Sequence, residues 1–129
     1  MDHDLDVRKS HVIFTIVPLT CWINADNNMK IITWNCNMAF RKKAAFILTH
    51  KPDILIIVEC EHPDKLQYLV DTPKATDSLW FGKNQHKGLA IFSYCDYRFK
   101  VLESHNEDFK MIIPIAVTGE QFEFNLFLI

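Results

Sequence analysis

Two short apolar runs rich in β-branched residues, Lys30-Ile31-Ile32-Thr33-Trp34 and Ile54-Leu55-Ile56-Ile57-Val58, flank a helical stretch and constrain everything around them. Each is too short for a helix, and neither alternates apolar with polar residues. Such runs suit strands buried on both faces, as in a parallel sheet with covered sides. Between them Phe40, Ala44, Ile47 and Leu48 recur at helical spacing, with Arg41, Lys42 and Lys43 on the other face. Pro52 ends that helix, because the residue before a proline is pushed out of the helical region. Strand, helix, strand in this order implies a parallel pair joined by a right-handed crossover.

Downstream, Pro63 is placed to open a second helix carrying Leu66, Leu69 and Val70. Residues 79–81, 88–93, 97–103, 109–117 and 121–129 then read as strands, with Tyr94-Cys95-Asp96 and Thr118-Gly119-Glu120 as connections. No Asn-Gly or Asp-Gly pair marks a tight hairpin, and Pro114 inside a strand run suggests an edge or a bulge. The class is α/β or α+β with a mixed sheet.

The head of the chain, residues 1–28, differs from the rest. Polar residues 1–11 lead into a short apolar stretch at 11–19, and Asn24-Ala25-Asp26-Asn27-Asn28 is a turn-prone break. Asp2, Asp4 and Asp6 stand where a signal peptide needs basic residues, and no small-residue cleavage site follows. Pro18-Leu19-Thr20 likewise lacks the small residues of a lipoprotein signal before Cys21. Residues 1–28 therefore read as an extra strand or as an N-terminal extension outside the domain, ahead of a domain spanning 29–129.

An apolar fraction of 49% with three Gly and five Pro excludes collagen-like and disordered classes. No apolar run reaches the roughly 18 residues of a membrane span. A net charge of -2 provides no global field for nucleic acid, although a local site remains open. Cys21, Cys36, Cys60 and Cys95 form no C-x-x-C pair and match no zinc-finger spacing. Reduced, buried thiols in a cytoplasmic protein are the expectation.

Ligands of α/β sheets meet the carboxyl ends of the strands. The first strand delivers Asn35-Cys36-Asn37 and the second delivers Glu59-Cys60-Glu61-His62. As parallel neighbours they would bring Asn35 and Glu59 to one rim. A carboxylate beside an amide suits a hard cation such as Mg²⁺, which takes one or two carboxylates and leaves other positions to water and phosphate. The structural alternative is that Glu59 favours a helix start and Asn35 forms a turn. Lys83, His86 and Lys87 are phosphate-contact candidates that more often belong to solvated loops, and Arg41-Lys42-Lys43 fits nucleic acid or a plain exposed helix face. Cys36 and Cys60 flank the site without an assignable His partner, so they read as structural thiols. Trp34, Trp80 and Phe81 suit base stacking but more often belong to a core. Glu61 and His62 offer a second carboxylate and an imidazole, or simply a helix start.

Residues 29–37, Met29-Lys30-Ile31-Ile32-Thr33-Trp34-Asn35-Cys36-Asn37, resemble the opening strand of the endonuclease/exonuclease/phosphatase superfamily. Pro52-Asp53-Ile54-Leu55-Ile56-Ile57-Val58-Glu59 is similar to its second motif, a strand ending in a metal-binding glutamate. Lys87-Gly88-Leu89-Ala90-Ile91-Phe92-Ser93 is similar to its glycine-led strand ending in Ser. The resemblance implies a four-layer α/β sandwich and metal-dependent phosphoester hydrolysis. It implies Glu59 and Asn35 as catalytic and metal residues for Mg²⁺ or Mn²⁺, with Asn37, Glu61 and His86 as secondary candidates. Asn37 stands where many nuclease members carry an acid, which weakens its role as a ligand.

The family's Gly-Asp-x-Asn and Ser-Asp-His motifs do not occur, and the sequence's Asp26-Asn27-Asn28 precedes the first strand. No general base is therefore assigned. The expectation is the N-terminal half of the family domain: inactive alone, acting on a phosphoester that includes nucleic acid among its candidates, and needing the other half or self-association. The competing expectation is a non-catalytic α/β module that captures a partner through an exposed sheet face or its last strand.

Overall fold

The computed structural model describes residues 10–14, 19–23, 29–66, 73–102, 112–120 and 123–128. In chain order they form strands β1 (Ser10–Phe14), β2 (Leu19–Ile23) and β3 (Lys30–Asn35), helix α1 (Phe40–Leu48), and strands β4 (Ile54–Cys60), β5 (Asp77–Asn84), β6 (Lys87–Ser93), β7 (Arg98–Val101), β8 (Ile113–Thr118) and β9 (Glu123–Leu128). One sheet has the order β1-β9-β8-β7 and the other β2-β3-β4-β6-β5. Both sheets are mixed: β1 runs parallel to β9 and β3 parallel to β4, and the remaining pairs are antiparallel. Residues 10–14 and 19–23 thus contribute an edge strand to each sheet.

The continuous apolar character of β3 and β4 has a direct cause, since both faces of their sheet are covered. Ile31, Ile54, Ile56 and Ile91 pack against Ile113, Ile115, Val117, Phe124, Leu126 and Leu128 of the second sheet. On the opposite face Ile32, Leu55, Ile57, Ala90 and Phe92 lie under Phe40, Ala44 and Ile47 of α1. Phe40 stacks on Phe92 with ring centroids 5.5 Å apart. Helix, sheet and sheet therefore form three layers among the described residues. The predicted strand–helix–strand unit is present as β3, α1 and β4.

Several expectations change. Pro63 opens only a 3₁₀ turn, Pro63–Lys65, which ends where Leu66 turns extended; Leu69 and Val70 lie outside the described residues. The β5–β6 hairpin turns through Gln85 and His86 between paired Asn84 and Lys87, without a glycine in the turn. Pro114 sits in β8, an interior strand. Its carbonyl accepts from the Leu102 amide at 3.0 Å, so its nitrogen faces the β7 side beyond the last registered pair, Val101–Ile115, where no ladder donor is needed. The last strand is not a free edge: β9 lies between β1 and β8. Nor is the far face of that sheet bare at its centre, because Pro114 and Asn125 are buried.

Candidate functional site

Parallel pairing brings the carboxyl ends of β3 and β4 to the same rim. Asn35 is in register with Val58, and the Cys36 amide donates to the Val58 carbonyl at 3.3 Å. The next residue, Glu59, forms a bulge within β4 with φ 60°, and the β4–β6 register shifts between Ile57 and Cys60. Regular alternation would put Glu59 beside Ile57 in the apolar layer under α1. The bulge sends Cys60 there instead and leaves the Glu59 side chain 23% exposed. Its Oε1 lies 3.6 Å from Lys87 Nζ, on the strand paired with β4.

Next to Lys87, Gly88 leaves room for Trp80, which folds across β6; a Cβ at Gly88 would collide with its indole. The indole N–H donates to the Cys60 carbonyl at 3.0 Å, and the His62 ring packs edge-on against Trp80 with centroids 4.8 Å apart. The His62 amide donates to Gln85 O at 2.8 Å, which ties the hairpin tip to the segment after β4. His86 is exposed at that tip, its amide held by Asn84 Oδ1 at 2.9 Å.

The β3–α1 connection is more strained. Asn37, Met38 and Ala39 are all left-handed, with φ of 56°, 68° and 55°. For residues with a Cβ this conformation costs roughly 1–2 kcal/mol each, least for Asn. Two contacts offset the strain. The Asn37 amide donates to Asn35 Oδ1 at 3.0 Å, closing a local turn. Lys43 Nζ donates to the carbonyls of Cys36, Asn37 and Met38 at 2.5, 3.3 and 3.0 Å.

Glu61 faces α1. Its side chain is only 3% exposed, Oε2 accepts from Arg41 Nη1 at 2.7 Å, and Oε1 has no partner. His62 caps the 3₁₀ turn, its Nδ1 accepting from the Asp64 amide at 3.1 Å. Arg41 and Lys43 thus act as braces, one to each strand end, where the sequence reads as an exposed basic face. The signal that would have exposed them, a left-handed turn, normally shows as glycine and none is present at 37–39.

Cys36, Cys60 and Cys95 are free thiols. Burial pushes the Cys60 thiol far up, aided by Glu61 and Cys36, and burial also raises Cys36 despite the opposing charge of Lys43. Cys36 Sγ lies 3.5 Å from the carbonyls of Val58 and Glu59. Both are neutral thiols packed as small apolar groups, so they offer no thiolate nucleophile.

Chemically, the rim offers hard oxygen donors, the Glu59 carboxylate and the Asn35 amide, with Lys87 as an exposed cation beside Glu59. Among the described residues, no group of three or more His, Cys, Asp or Glu side chains is arranged to hold a metal ion. A single half-buried carboxylate beside an exposed amide fits a cation that keeps most of its waters. Compared with protein-family models and curated proteins, the chain matches none.

Proposed function

We propose that this rim is the metal- and phosphate-binding half of a metal-dependent phosphoester hydrolase, within a four-layer α/β sandwich. The observation that carries the reading is the β3–β4 register, with Asn35 opposite Val58 and Glu59 turned out of the apolar layer by its bulge. Glu59 and Asn35 would hold Mg²⁺ or Mn²⁺ through oxygen. When bound, the ion would polarise the phosphoryl group and stabilise charge on the leaving oxygen. Lys87 would exchange Glu59 for a substrate phosphate oxygen once the cation neutralises that carboxylate. Asn35 Oδ1, one lone pair accepting from the Asn37 amide, would offer its second to the ion and leave the side-chain N–H groups for phosphate. Attack by water also needs a positioned base, and the reading assigns none to these residues.

The test is Mg²⁺-dependent hydrolysis of a phosphodiester by the longest form of the protein that contains this chain, alongside its Glu59→Ala variant. Loss of at least a hundredfold in rate, with folding intact, supports the reading. Equal rates in the two forms contradict it.

A further inference from the structure

We propose that Lys43 is a positioning residue of the rim: its ammonium holds the left-handed Asn37–Ala39 turn and thereby orients the Asn35 amide. The inference rests on the reading of Asn35 and Glu59 as cation and phosphate residues, and it assigns the control of that site to the helix. The chain of contacts is continuous. Lys43 Nζ donates to three successive carbonyls, those of Cys36, Asn37 and Met38. These three carbonyls precede or belong to the left-handed residues, whose backbone strain would otherwise be relieved by rotation. The amide of Asn37, inside the same turn, donates to Asn35 Oδ1 at 3.0 Å. Rotation at Asn37 would withdraw that donor and free the Asn35 side chain to change rotamer.

The chemistry of the side chain matters. An ammonium carries three donors on one tetrahedral centre, so it can serve three converging carbonyls; a planar guanidinium spreads its donors over three nitrogens in a fork, which matches that convergence poorly. Lys43 is anchored on α1, whose Phe40, Ala44 and Ile47 are locked into the apolar layer. The cation is thus delivered from a rigid element to a strained one. Lys42, its exposed neighbour, has no such contact among the described residues and serves as a control.

The experiment uses the ¹⁵N-labelled full chain and Mn²⁺ as the probe. Side-chain amide signals of Asn35, identified by their loss in Asn35→Asp, are followed without metal in wild type, Lys43→Met and Lys42→Met. Mn²⁺ affinity is then measured on the same proteins and on Glu59→Gln. Lys43→Met is expected to shift the Asn35 signals and weaken Mn²⁺ binding roughly tenfold or more, the usual effect of losing an outer partner of a ligand; Lys42→Met changes neither. Lys43→Arg, which keeps the charge, is expected to fail as a rescue. If Lys43→Met does not fold, Lys43→Gln, which keeps two donors, carries the same comparison. Unmoved Asn35 signals in a folded Lys43 variant overturn the inference. Shifted signals with no Mn²⁺ binding by wild type retain the positioning role and reject the metal reading, so the two failures are distinct.

Discussion

The two ends of the central sheet use their polar groups in opposite ways. At the end where β3 and β4 begin, polar groups pair with one another. The Lys30 amide donates to Asp53 Oδ2 at 2.7 Å, Lys30 Nζ to His50 O at 2.9 Å, and the Asp53 amide to Lys30 O at 2.9 Å. The Tyr94 amide closes on Asp53 O at 2.9 Å, and Thr76 Oγ1 reaches the carbonyls of Ser93 and Cys95. Among the described residues at that end, only Lys51, at the helix exit, is left-handed. At the other end Glu59 and three further described residues, Asn37, Met38 and Ala39, are left-handed, a buried carboxylate oxygen of Glu61 is unpartnered, and Glu59 meets its cation only at 3.6 Å. One end is closed by local hydrogen bonds. The other stores strain and holds oxygen donors out of the core, the arrangement typical of a site rather than of a seam.

The largest effect expected from breaking this contrast is at Arg41. Arg41→Met leaves Glu61 buried without its cation, and breaking such a pair costs several kcal/mol; with Arg41 partly exposed, about 2 kcal/mol is expected. Denaturant unfolding measures it, and Arg41→Met with Glu61→Leu should recover most of the loss. Next, Asp53→Ala removes an acceptor for a part-buried amide at the closed end. It should cost about 1 kcal/mol in the same assay and leave Mn²⁺ affinity unchanged. Recovery failing in the first case, or affinity falling in the second, would erase the distinction between the ends.

Alkaline pH should produce a smaller effect. Burial raises the thiols of Cys36, Cys60 and Cys95 above their ordinary value of 9.0, and burial raises Tyr97 to about 12. Above pH 9 the unfolded chain releases these protons while the folded chain keeps them, so stability declines as pH rises. Unfolding midpoints at pH 8 and pH 10 check this, and Cys60→Ala should flatten the decline. The smallest effect is at Glu59 itself. Glu59→Gln removes a long, partly solvated charge pair and should leave the unfolding free energy within about 0.5 kcal/mol of wild type, in contrast to the effect expected on the cation.

The scaffold was more legible than the site. β3, α1, β4 and β6 are visible because burial on two faces or on one helical stripe writes itself as unbroken or periodic apolar residues, as at Ile54–Ile57 and at Phe40, Ala44 and Ile47. The rim placement of Asn35 and Glu59 follows from the same parallel pairing. The local geometry does not. Glu59 and residues 37–39 adopt left-handed backbone without a glycine to announce it. The burial of Glu61 depends on Arg41, twenty residues away in sequence, and no local pattern records that pairing. Pro63 carries an orthodox helix-start signal, yet Leu66 is extended after a single turn. Pro114 broke the edge-strand rule because its missing donor falls just past the end of β7.

Line broadening by Mn²⁺ in the ¹⁵N-labelled protein tests the contrast between the two ends most directly. The amides of Asn35, Cys36, Asn37, Glu59 and Cys60 are expected to broaden first, those of Lys30, Asp53 and Tyr94 to remain sharp, and Glu59→Gln to abolish the selectivity. Broadening centred on Asp53, or spread evenly over exposed acidic residues in both proteins, would contradict that contrast.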